Sequence, residues 1–183
     1  MKFRPAGINT YLCAIVAMAL LVAGCATTDD PKDMGKKKKG KEQALLLFHL
    51  ETTPDGTPYT RSIVVPRGET KTVNVQANPF LDSGYLLEAS LVETDKFGGF
   101  ALRLQFNQHG VFTLDTVSSA NRGRRIAILC HFGQERWLAA PVVTKRISDG
   151  IVQFTPDLSR EEAEYVVLVL NNIAAKLKKK GAL

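Results

Sequence analysis

The sequence predicts an α+β domain, a mainly antiparallel sheet with two amphipathic helices packed on one of its faces. Three observations carry this expectation. Leu87–Val92 and Phe100–Phe106 alternate side-chain character at the strand period of two. Two later stretches, opening at Asn107 and Ser159, repeat apolar residues at helical spacing. A chain of 183 residues, 45% hydrophobic, is of single-domain size and rich enough in apolar side chains for one core.

The elements follow in order. Ala44–Leu50 is an apolar run of strand length, and Thr53-Pro54-Asp55-Gly56 is turn chemistry. Ser62–Val65 and Lys71–Val75 read as strands separated by Pro66-Arg67-Gly68. The alternating segments Leu87–Val92 and Phe100–Phe106 suit a hairpin with one buried face, turning at Asp95–Gly99. Asn107 caps a helix from Gln108 to about Ala120, with Val111, Leu114 and Val117 on one stripe, Phe112 bordering it, and Asn121–Gly123 ending it. Arg125–Cys130 returns to strand. Gly133-Gln134 turns, Arg136–Ala139 pairs back, and Pro141 sits poorly in any central strand. Gly150–Phe154 is a further strand. Ser159 and Glu162 form a capping box, and Ala163, Val166, Val167, Leu170, Ile173, Ala174 and Leu177 mark the buried face of the last helix.

The net charge of +6 is carried by the tails. Residues 44–175 hold 12 Lys and Arg against 14 Asp and Glu. A fold that grips nucleic-acid phosphates carries a basic face of its own, so nucleic acid is not an expected partner.

The N-terminus reads as an export and lipidation signal over residues 1–24. Lys2 and Arg4 precede the apolar stretch Tyr11–Ala23, which is short for a membrane span and suited to a signal core. It runs into Leu21-Val22-Ala23-Gly24-Cys25, a string that resembles a bacterial lipobox and makes Cys25 the expected lipidated residue. Buried acyl methylenes are worth about 0.8 kcal/mol each, so such chains anchor a protein without a spanning helix. Residues 25–43 then form the lipidated end and a polar tether, including Lys36–Lys39, and residues 178–183 a basic tail. Ala26 lacks the aspartate associated with inner-membrane retention. In a host with two membranes the expected address is therefore the outer membrane, facing the periplasm.

A series of motifs between residues 79 and 175 resembles the head subdomain of the first periplasmic domain of SecD and SecDF, membrane components of bacterial protein export. In order these are Gly98-Gly99 before the strand Phe100–Phe106, His109-Gly110, Asn121-Arg122-Gly123-Arg124-Arg125-Ile126-Ala127-Ile128, Ala140-Pro141-Val142-Val143, Ile147-Ser148-Asp149-Gly150 and Glu162-Ala163. The resemblance implies that 44–177 is one head-like domain with a surface that meets emerging polypeptide. Two family features differ: Cys130-His131-Phe132-Gly133 replaces an Asp-Gly hairpin turn, and Phe154-Thr155-Pro156-Asp157 replaces a glycine before the last helix. The family's transmembrane helices and membrane acidic motif are not found in this sequence, so its proton-driven motor is not carried over.

Nothing in the residue pattern points to catalysis, a metal or another cofactor. His49 and His109 suit packing or capping, Cys130 suits burial, and adjacent Cys130 and His131 point to opposite strand faces. Glu88, Glu93 and Asp115 fall on expected solvent faces. The expected function is a lipid-anchored, non-catalytic envelope module that contacts polypeptides or an export complex, with no small-molecule substrate. The alternative is a structural envelope lipoprotein acting through self-association. Phe132 and Trp137 are the candidate contact residues, because aromatic residues at a turn tip often anchor partners; core packing of Trp137 is the competing explanation.

Overall fold

The computed structural model describes residues 44–66, 71–94 and 98–179. The strands among them are β1 (Leu45–Leu50), β2 (Thr60–Val65), β3 (Lys71–Gln76), β4 (Leu81–Asp82), β5 (Leu86–Glu93), β6 (Phe100–Phe106), β7 (Ile126–Phe132), β8 (Gln134–Ala139) and β9 (Ile151–Phe154). The helices are α1 (Gln108–Ala120) and α2 (Arg160–Lys179). The α+β class is as expected. The antiparallel strands fall into three sheets rather than one, ordered β4-β1-β7-β8, β2-β3 and β5-β6-β9.

The four-stranded sheet explains the division, because it is apolar on both faces and therefore needs two covers. On one face Leu46, Phe48, Leu50, Ile126, Ile128 and Cys130 join Leu102, Leu104 and Phe106 of β6 and Val166, Val169 and Leu170 of α2 in the main core. On the other, Ala127, Trp137 and Ala140 lie under Ile63, Val65, Val73 and Val75 of the β2–β3 hairpin. One sheet with helices on a single face would leave this second apolar surface wet.

Helix boundaries follow their caps. The Asn107 side chain accepts from the Gly110 N–H at 3.0 Å. Glu162 accepts from the Ser159 N–H at 2.8 Å while Ser159 Oγ accepts from the Glu162 N–H at 3.2 Å, which is the reciprocal box read from the sequence. The buried residues of α1 are Gly110, Leu114 and Ser118, and Val117 packs partly buried beside them. Phe112 is 70% exposed. Asp115 is a second departure: its side chain is only 24% exposed and is held by Arg146 through Nε and, at 2.6 Å, Nη2. Those bonds keep its carboxyl below the usual aspartate range.

Several sheet edges are closed at particular positions. Phe80 N–H bonds Phe48 O, and Leu46 N–H bonds Ser83 Oγ, sealing the outer side of β1. Thr52 N–H bonds Asn74 O on β3, and Asp157 N–H bonds Leu138 O on β8. On β5 a side chain closes one outward position. Asn171 of α2 accepts from the Ala89 N–H at 2.8 Å and donates to the Ala89 carbonyl at 2.9 Å. Its carboxamide takes the place of a neighbouring peptide.

Asn171→Leu keeps the side-chain volume and removes both bonds, stranding a partly buried main-chain pair. Urea unfolding is expected to show a loss of about 1–3 kcal/mol, the cost of leaving such groups unmatched. A change under about 0.5 kcal/mol, the range of neutral surface substitutions, would mean that water serves the edge equally well.

Candidate binding surfaces

The two aromatic residues singled out in the sequence do not form a common patch. Phe132 faces Gln134 across a turn whose tip is Gly133, at φ 69°, a conformation glycine adopts without strain. Counting the pleat from there puts Trp137 on the opposite face from Phe132. Phe132 packs partly buried against the main core and Trp137 against the second cluster. Trp137 meets His49 edge-on with ring centroids 5.3 Å apart. Both rings serve packing, which is the explanation the sequence left open for Trp137.

Cys130 and His131 likewise diverge. Cys130 is fully buried in the main core, and burial pushes its thiol up to about 12. His131 turns to the other face, 4.0 Å from Glu135, which also lies 3.9 Å from Arg61. The geometry leaves Cys130 a packing residue. His109 packs against Tyr85, their ring centroids 4.5 Å apart.

His49 is 2% exposed between β1 and the β2–β3 hairpin. Its Nδ1 lies 2.9 Å from the Gln76 carbonyl, which can only accept, so Nδ1 carries the proton of the neutral ring. Nε2 then presents a lone pair, and it has no hydrogen-bond partner among the described residues. Burial holds this imidazole below the ordinary histidine value, opposed by the Gln76 carbonyl; Arg61 and His131 add to the lowering and Glu135 opposes it.

Two grooves open on the described surface. The smaller, about 280 Å³, has apolar walls from Val65, Val73, Ala140 and Phe154, with Lys71 and Arg125 also lining it. The Arg125 guanidinium there is engaged, donating to the Ala140 carbonyl at 2.8 Å. The larger, about 620 Å³, runs between β9 and the segment that continues β8 past Pro141. Val142 and Val143 line one wall, Ile151 and Gln153 the other, and Arg103 and Lys145 bring positive charge. Gly150 sets the start of β9: its φ is +67°, and a Cβ there would run into the Val111 side chain. Among the described residues no three His, Cys, Asp or Glu side chains gather as a metal site. Nor is any described helix long and apolar enough to cross a membrane. Cys25 and the tether lie outside the described residues.

The family described as SecDF, P1 head subdomain, matches residues 60–175. The chain belongs to this family. The match takes in the β2–β3 hairpin as well as the motif series from 79 onward, and leaves β1 outside it. A protein translocase subunit SecD from Acidaminococcus fermentans is 32% identical over 90 residues, covering 49% of this chain and 21% of that one. The chain thus aligns with about a fifth of that relative's length. Two solved SecDF structures share the fold. A membrane component SecDF that enhances protein export superposes with a TM-score of 0.51 at 23% identity, over 71% of this chain and 63% of the other. SecDF in a super-membrane-facing form gives 0.53 at 24%, over 71% and 19%.

The His49 geometry in this head subdomain fixes a pH dependence. The folded imidazole holds its proton less tightly than the unfolded one, so below about pH 6.5 the unfolded chain binds more protons and stability drops as the pH is lowered. Above that value the contribution is constant. Urea unfolding between pH 7.5 and 5 is expected to show this slope, at most about 1.4 kcal/mol per pH unit for one proton. His49→Asn, which keeps a donor toward Gln76, is expected to lack that component; identical profiles would contradict the assignment.

Proposed function

We propose that this chain is a lipid-anchored envelope protein that uses a SecDF head subdomain to contact polypeptides during protein export, without bond chemistry of its own. The observation that carries the reading is the family match across residues 60–175, joined in one chain to the lipobox-like string ending at Cys25. The relatives that the match brings in are a translocase subunit and a membrane component that enhances protein export. In this reading two acyl-bearing groups at Cys25 replace a membrane span, and residues 26–43 hold the head away from the bilayer. The expected address is the outer membrane of a two-membrane host, facing the periplasm. The buried thiol of Cys130, turned away from His131, supports a contact role over a nucleophilic one.

Cys25→Ala is expected to leave unprocessed precursor and to abolish acyl-chain labelling; normal labelling of that variant would refute the anchor. In-cell crosslinking followed by mass spectrometry is expected to recover many exported clients. A single stoichiometric neighbour, or the chain itself, would instead support a structural envelope protein.

A further inference from the structure

The larger groove has main-chain hydrogen-bonding groups on both walls. The bond from Phe106 N–H to Gly150 O fixes which residues of β9 bond β6. With Gln105 opposite Ile151 and Arg103 opposite Gln153, alternation makes Val152 and Phe154 the bonded positions and turns the main chain of Ile151 and Gln153 outward. The β5–β6 register agrees: Thr94 N–H bonds Gly99 O, so Arg103 and Gln105 bond inward to Ser90 and Glu88 rather than to β9. The Ile151 N–H is taken by Asp149 Oδ1 at 3.0 Å. The N–H and C=O of Gln153 have no partner among the described residues.

The opposite wall repeats the arrangement. Ile126 N–H bonds Pro141 O and Val143 N–H bonds Arg124 O, so in the Arg125–Val142 bridge the Val142 groups turn away from β7. They too have no partner among the described residues. Val142 and Gln153 both line the groove. Main-chain groups without a partner among the described residues thus flank a 620 Å³ opening on both sides. That volume lies in the range of about 300–1,000 Å³ typical of binding clefts.

We propose that this groove is a strand slot that receives an extended polypeptide segment in which apolar and acidic residues alternate. An extended main chain is the partner that offers alternating N–H and C=O groups to such an edge. The pleat sets the side-chain pattern. A guest paired with β9 places every second residue beside buried Val152 and Phe154, and the others beside exposed Gln153 and Arg103. The charge favours acidic side chains at the exposed positions. Among the described residues Arg103 and Lys145 have no acidic partner, whereas Arg146 is taken by Asp115 and the Asp149 carboxylate accepts from Ile151. The same charge disfavours the chain's own Lys36–Lys39 segment as the occupant.

The slot rests on the polypeptide-contacting reading above, and the test separates the two. Full-length protein in detergent is titrated against a fluorescein-labelled eight-residue peptide of alternating Val and Glu, followed by anisotropy. Expected are saturable binding, at least tenfold weaker binding of the same peptide N-methylated at alternate amides, and a preference for a Val-Lys peptide in R103E/K145E. Hydrogen exchange is expected to show new protection at the Val142 and Gln153 amides on binding. Equal binding of the N-methylated peptide, or protection elsewhere, overturns the slot and leaves polypeptide contact standing. Absence of peptide binding up to millimolar concentration also overturns the slot. Whether the wider reading then falls is decided by the in-cell crosslinks, which persist if clients meet another surface and vanish if there are no clients.

Discussion

A peptide group removed from water must find a partner, and in this domain that requirement falls most heavily on the edges of short sheets. None of the three sheets is closed into a barrel, so each ends in a strand with outward N–H and C=O groups. An open edge is also an invitation to unintended pairing. The domain answers with unlike devices: a two-residue strand and a serine hydroxyl along β1, a loop amide on β8, and a helix-borne carboxamide on β5. The Asn171 device has a second consequence. Because it ties α2 to β5 at one fixed position, it sets how the apolar stripe of the helix falls on the main core. Edge closure and core packing are thus one constraint.

Strand β1 shows how the two cores are joined. Leu46, Phe48 and Leu50 face one cluster, while His49 stands in the layer beneath the β2–β3 hairpin. The bridge between Glu51 and Val75 and the bond from Thr52 to Asn74 stitch the end of β1 to β3. The hairpin is held over the sheet by small apolar residues and by one neutral imidazole. A layer of this size tolerates few unmatched polar groups, which is why the bare Nε2 of His49 gives the structure a pH-dependent component.

Much of this was legible in the sequence because it is local. The hairpin of β5 and β6 has a single buried face, so its alternation survives unaltered. The caps at Asn107 and Ser159 act within three residues and can be seen without any tertiary information. The division into three sheets is not local. β4 has two residues and no periodicity to detect, and whether β2 and β3 extend the main sheet or cover it depends on the far side of Ala127 and Trp137. Strand parity sets Phe132 and Trp137 on opposite faces. With Gly133 alone at the turn tip, five residues of separation reverse the face, and a turn one residue longer would have preserved it. The groove was out of reach for a similar reason. It depends on which way the peptides of Val142 and Gln153 point, a property of register that no side chain announces. Arg103 and Lys145 were visible only as scattered surface charge.

The domain closes the outward main-chain groups of Ala89 on β5 through Asn171 but leaves those of Val142 and Gln153 open to the larger groove. Residue-resolved amide hydrogen exchange on the unliganded protein tests it directly. The Ala89 amide, although on an edge strand, should exchange as slowly as the amides of central β7, while Val142 and Gln153 should exchange with little protection. Fast exchange at Ala89, or strong protection at Gln153 in the absence of any guest, would contradict it.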